Sequence, residues 1–142
     1  MRISVLGLGC MGAPMAVNLQ EVGHVVAGYD RTGERASYAS AKGIRLAATV
    51  AEAVREAHVA LTMVSDDEAV IALTFGADGL LEHLPAGAIH LCMSTIGVET
   101  SRRLALAHAE AGQGYVAAPC SAGQAKPRRA GCGSSRAVLM SR

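Results

Sequence analysis

The sequence predicts an α/β fold, a doubly wound parallel sheet with helices on both faces. Three observations predict it. Short apolar runs of strand length alternate with helical patterns along residues 1–119. The run at residues 59–64 is apolar almost throughout, as in a strand buried on both faces. The chain has 142 residues, 51% of them hydrophobic, which suits one domain with a sizeable core.

The first predicted strand is residues 3–6. Gly7, Gly9 and Gly12 follow in the spacing G-x-G-x-x-G. A helical pattern comes next, with Met11, Met15, Val17, Leu19 and Val22 as apolar positions. Pro14 fits if it lies in the first turn, where a missing N–H costs nothing, and Gly23 is the C-terminal stop. Residues 24–29 form a second strand that runs into an acid, Asp30.

Arg31, Thr32 and Gly33 make a turn before a short helix over 34–42, closed by Gly43. A short strand at 44–46 follows. Thr49 and Glu52 then have the spacing of a capping box, which opens a helix to about Ala57. After the strand at 59–64, Ser65, Asp66 and Asp67 break the apolar run. The two carboxylates favour the start of the helix at 68–75. A short helix at 80–84, a strand at 88–93, a long helix at 98–111 and a last short strand at 115–118 complete the alternation. No internal repeat is present.

Strand, glycine turn, helix, strand and terminal acid, in that order, are what a dinucleotide-binding βαβ unit needs. Gly7 lets the chain turn out of the strand, Gly9 lets backbone approach a pyrophosphate, and Gly12 lets the helix pack on the sheet. The pyrophosphate sits at the helix N-terminus, where free N–H groups face it. Asp30 lies at the distance along the chain where a carboxylate meets the adenine ribose. Ligands of such sheets bind outside the carboxyl ends of the strands, here Gly7 to Gly12, Asp30 to Thr32, Val64 to Asp66 and Met93 to Ile96.

Composition narrows the rest. No apolar run reaches the ~18 residues of a membrane helix, so no membrane partner is expected. Cys10, Cys92, Cys120 and Cys132 are scattered, with no C-x-x-C pair and no zinc spacing, so no metal is expected. Reduced thiols suit a cytoplasmic protein. His24, His58, His83, His90 and His108 occur singly and read as surface or packed side chains.

Charge is uneven along the chain. Residues 1–119 carry 8 Lys/Arg against 12 Asp/Glu, a net −4, while 120–142 carry 5 Lys/Arg and no acid, a net +5. The Gly-, Ser-, Arg- and Pro-rich 120–142 reads as an atypical basic tail, disordered or frame-shifted. Nucleic-acid binding would need a basic face on a fold, and none is predicted.

Several stretches resemble the β-hydroxyacid dehydrogenase family of 3-hydroxyisobutyrate and 6-phosphogluconate dehydrogenases and the related imine reductases. They are GLGCMGAPMAVNL, GHVVAGYDRT, MVSDDEAV and STIGVETSRRLALAHAEAGQGYVAAP, the last nearest the imine-reductase-like branch. The resemblance covers 1–119 and implies a Rossmann-type NAD(P)-binding domain. It implies hydride transfer between NADP(H) and a small hydroxyacid, semialdehyde or imine. It also implies that Gly7, Leu8, Gly9, Cys10, Met11 and Gly12 hold the pyrophosphate and that Asp30, Arg31 and Thr32 surround the ribose. Val64 and Ser65 would line the cofactor, with Thr95 near the nicotinamide; helix capping is the lesser alternative for Ser94 and Thr95. Arg31 favours NADP, which is preferred slightly, and Asp30 favours NAD.

The family's P-V-S-G-G substrate motif stands here as Pro119, Cys120, Ser121, Ala122 and Gly123, with Ser121, Ala122 and Gly123 as the candidate substrate contacts. The family then has a helical C-terminal domain with the catalytic lysine and the dimer contacts. That domain is absent from this sequence, and neither Lys42 nor Lys126 stands in for the lysine, so no catalytic residue is assigned. A truncated or frame-shifted gene product without full activity is therefore expected. Two other functions fit less well: a non-catalytic dinucleotide-binding module, and an S-adenosylmethionine-dependent methyltransferase, which the glycine spacing and the Arg31–Thr32 pair disfavour.

Overall fold

The computed structural model describes residues 1–33 and 35–120, together with the backbone of 138–139. Its elements are β1 (Arg2–Leu6), α1 (Gly12–Glu21), β2 (Val25–Tyr29), α2 (Ala36–Ala41), β3 (Arg45–Leu46), α3 (Val50–Val54), β4 (Val59–Thr62), α4 (Asp67–Phe75), α5 (Leu80–His83), β5 (Ile89–Cys92), α6 (Val98–Glu110), β6 (Gly114–Ala117) and β7 (Val138–Leu139). The strands form one sheet in the order β3-β2-β1-β4-β5-β6-β7. β1 to β6 run parallel, and β7 pairs antiparallel to β6. The order reverses between β1 and β4, which opens a crevice at their carboxyl ends.

Side chains alternate across the sheet. Ile3, Val5, Val26 and Leu61 face α1 and α2, where Ala13, Ala16, Val17 and Ala39 meet them. Leu6, Ala60 and Ala88 face the opposite side, against Val50, Ala53 and Val54 of α3 and Leu80 of α5. Farther along that side, Cys92 and Tyr115 pack on Val70 of α4 and Leu104 of α6. Helices therefore cover both faces, as a parallel sheet requires.

The element ends differ from expectation by one to three residues, for local reasons. β4 stops at Thr62 because the Val64 N–H goes to the Ser94 hydroxyl at 2.9 Å instead of a strand neighbour. α3 stops at Val54, where a tighter bond from Ala57 N–H to the Val54 carbonyl closes it. Thr49 caps α3 as expected, its Oγ1 accepting from Glu52 N–H, while the Glu52 carboxylate reaches one residue past the cap and accepts from Ala48 N–H through Oε2. Pro14 is the third residue of α1, within its first turn. The expected helix at 34–42 begins at Ala36, and Glu34 lies outside the described residues. Within 120–142, Val138–Leu139 forms β7.

One buried polar chain ties the far half of the molecule together. Gln113 Nε2 donates to the carbonyls of Leu81 and Leu84, so its Oε1 is an acceptor and takes the His108 Nδ1–H at 2.6 Å. Burial keeps the His108 ring neutral, so its Nε2 accepts, and it takes the His90 Nδ1–H at 2.9 Å. His90 Nε2 accepts in turn from the Thr62 hydroxyl at 2.9 Å. Both imidazoles are neutral in this chain, and both are fully buried. Burial, and then the neighbouring His108, push the His90 pKa well below its ordinary value. Burial also lowers that of His108, against a smaller opposing effect of the Gln113 bond. The packed-histidine expectation holds for this pair, but the two rings are partners and do not stand singly.

Candidate functional site

The site begins with the turn between β1 and α1. Gly7 has φ +100°, a left-handed conformation that glycine adopts freely. A Cβ at Gly7 would collide with the Met63 carbonyl oxygen, and one at Gly12 would collide with the Gly7 carbonyl oxygen. The two glycines thus seat the turn against the end of β4 and the start of α1 against the turn. Gly9 differs, because a Cβ there would meet nothing within 4 Å. Its backbone faces open space. No side chain caps the N-terminus of α1; Ala13 and Met15 donate to the Gly9 and Met11 carbonyls and Pro14 has no N–H, which leaves the Gly12 N–H of the first turn.

Asp30 follows β2 directly, and its Oδ2 accepts from the Thr32 hydroxyl at 3.2 Å. On the other side, Ser65 lies in the loop after β4, and Asp66 caps α4 by accepting from Ala69 N–H at 2.8 Å. These segments enclose a cavity of about 600 Å³ at the carboxyl ends of β1, β2 and β4. That size is ordinary for a cofactor pocket.

The cavity brings together most of the predicted residues: Gly7, Gly9, Cys10, Met11 and Gly12 from the turn, Asp30, Arg31 and Thr32 from the second loop, and Val64 and Ser65 from the third. Two predicted residues do not line it. The Leu8 side chain is fully buried and packs against Gly28 in the core, so this position serves the sheet. Thr95 is exposed in the loop before α6 and is not among the residues that line the cavity.

Neither Ser94 nor Thr95 caps a helix. Ser94 braces the end of β4, and the α6 N-cap is Gly97, whose N–H is taken by the Asp67 carboxylate at 3.1 and 3.2 Å. Ser121, Ala122 and Gly123 lie outside the described residues. Among the described residues no His/Cys/Asp/Glu group is arranged to hold a metal, and no helix is long and apolar enough to cross a membrane.

Comparison with known proteins identifies this arrangement. Residues 2–137 match the family described as the NAD binding domain of 6-phosphogluconate dehydrogenase. The chain belongs to that family. It is 45% identical over 119 residues to an uncharacterized oxidoreductase of Bacillus subtilis, YfjR, covering 84% of this chain and 42% of that protein. It is 39% identical to the solved 3-hydroxyisobutyrate dehydrogenase of Mycobacterium tuberculosis, with a TM-score of 0.78 over 86% of this chain and 41% of that one. An imine reductase from a Pseudomonas species is 28% identical, with a TM-score of 0.71 over 83% of this chain and 40% of that one. The chain thus spans about two-fifths of the length of these relatives. It is a Rossmann-type NAD(P)-binding domain related to oxidoreductases of the 3-hydroxyisobutyrate dehydrogenase and imine reductase kind.

Within this NAD(P)-binding domain the sequence reading missed one wall of the cavity. Ala69, Ala72 and Leu73 of α4, Val50 of α3 and Asp78 of the loop before α5 also line it. The apolar members carried the signal of an ordinary helix face. Asp78 carried the signal of a turn, between Gly76 and Gly79.

Proposed function

We propose that this domain holds NAD(H) or NADP(H) for an oxidoreductase that moves hydride between the nicotinamide and a small hydroxyacid, semialdehyde or imine. One observation carries the reading: an uncapped helix N-terminus and an open glycine face the same cavity as a carboxylate at the end of the next strand. The Gly12 N–H at the start of α1, with the backbone of the turn before it, would hold the pyrophosphate. Gly9 would let it approach, and Asp30 would accept from the ribose hydroxyls. When bound, the dinucleotide supplies the hydride chemistry.

The charge around the cavity bears on the choice of cofactor. Arg31 offers a guanidinium to a 2′-phosphate, which supports the NADP preference expected from the sequence. Asp30 and Asp78 line the same cavity, and two carboxylates against one guanidinium disfavour the extra phosphate. On this balance NAD stands ahead of NADP. No lysine lines the cavity among the described residues. Proton transfer to the substrate would therefore use a group from elsewhere in the working enzyme.

Calorimetric titration with NADH and then NADPH tests the reading. The expected result is saturable binding of both, NADH the tighter. Absence of binding by the folded chain would overturn the assignment, and tighter binding of NADPH would overturn the cofactor order.

A further inference from the structure

The wall formed by α3, α4 and the loop before α5 is apolar except at one point. Val50, Ala69, Ala72 and Leu73 give a hydrocarbon surface to the cavity that the glycine turn and Asp30 also line. If the pyrophosphate sits at the turn and the ribose at Asp30, this wall is left for the base. A purine buries its faces well against small apolar side chains, but its edge carries hydrogen-bonding groups that need partners.

Asp78 is the polar residue of that wall. One of its oxygens, Oδ1, lies 3.6 Å from His83 Nε2, too far for a hydrogen bond, and the side chain is half exposed. No hydrogen bond to a described residue occupies the carboxylate, so it has acceptor capacity to offer a ligand. It cannot donate when ionised. Adenine presents an exocyclic amine, a donor, where hypoxanthine and guanine present a carbonyl, an acceptor. A carboxylate accepts from the first and repels the second.

We propose that Asp78 is a specificity residue that selects adenine over 6-oxopurines by accepting from the exocyclic amine. The proposal rests on the dinucleotide reading of the cavity. A bland role for Asp78, as a surface partner of His83 beside α5, would leave base selectivity untouched.

The test compares NADH with its hypoxanthine analogue, reduced nicotinamide hypoxanthine dinucleotide, by calorimetric titration of the full chain. The expected ratio of dissociation constants in the wild type is about fivefold to tenfold in favour of NADH, the range of one half-exposed hydrogen bond to a charged group. Asp78→Ala should bring the ratio to within about twofold of unity, chiefly by weakening NADH. Asp78→Asn, whose amide can turn to accept or donate, should bind both dinucleotides with similar affinity. Circular dichroism confirms that each variant is folded. A wild-type ratio near one, or a ratio unchanged in both variants, overturns the proposal while leaving the dinucleotide assignment intact. Binding of neither dinucleotide to the folded wild type overturns the dinucleotide assignment itself.

Discussion

Acidification from pH 7 to pH 5 should destabilise this fold through His90 and His108. Both rings are neutral members of a closed hydrogen-bond chain, and burial holds both pKa values below the ordinary 6.5. In the unfolded chain each imidazole takes up a proton near pH 6.5. Below that pH the unfolded state binds more protons than the folded state, so stability falls as pH falls, by up to about 1.4 kcal/mol per unit for each ring. Integrated from pH 7 to 5, the unfolded-state titration is worth about 1.9 kcal/mol per ring. About 4 kcal/mol is then the ceiling for the pair, a large part of a typical domain's stability of roughly 5–15 kcal/mol.

Urea unfolding followed by circular dichroism at pH 7, 6 and 5, at fixed ionic strength, measures this loss. A His108→Gln variant, which removes one ring and keeps an amide that can bond to His90 and Gln113, should show about half the pH slope. A free energy of unfolding constant to within about 0.5 kcal/mol across the range, or the same slope in the variant, would refute the neutral-pair reasoning.

Other perturbations have defined outcomes. Gly12→Ala should unseat α1 from the Gly7 carbonyl and weaken dinucleotide binding by about tenfold or more, read by calorimetry. Thr49→Ala removes the acceptor for Glu52 N–H and should cost about 1 kcal/mol in urea unfolding. Asp67→Ala removes an acceptor shared by Gly97 N–H and the Thr100 hydroxyl, the latter at 2.6 Å. It should cost about 1–2 kcal/mol and speed amide exchange at Gly97, seen by NMR. Leu104→Ala, at a fully buried position between α6 and the sheet, should cost about 2–5 kcal/mol.

What the sequence made legible was local. The glycine spacing, the acid after the second strand and the Thr49 helix cap all act within a few residues of themselves, and their patterns survive into the structure. What it hid was long-range. His90 and His108 sit on different elements, and their bond depends on how α6 lies across β5 and β6. Asp67 looked like helix-start charge, yet it reaches across 30 positions to hold the start of α6. Thr95 shares a loop with Ser94, whose hydroxyl turned out to finish a strand rather than begin a helix. Asp78 gave no sign beyond a turn, because only the packing of α5 against α3 and α4 brings it to the cavity that begins at Gly7.

The contact between Gly7 and Gly12 also has a thermodynamic side. The turn is held by backbone atoms on both flanks, the Met63 carbonyl on one and the start of α1 on the other. A flexible loop would have to surrender its conformational freedom on meeting a phosphate, at roughly 1–2 kcal/mol for each residue fixed. This one surrendered it during folding. The entropy of ordering is charged to the formation of the sheet, and a phosphate bound there, as proposed, would meet a backbone already ordered.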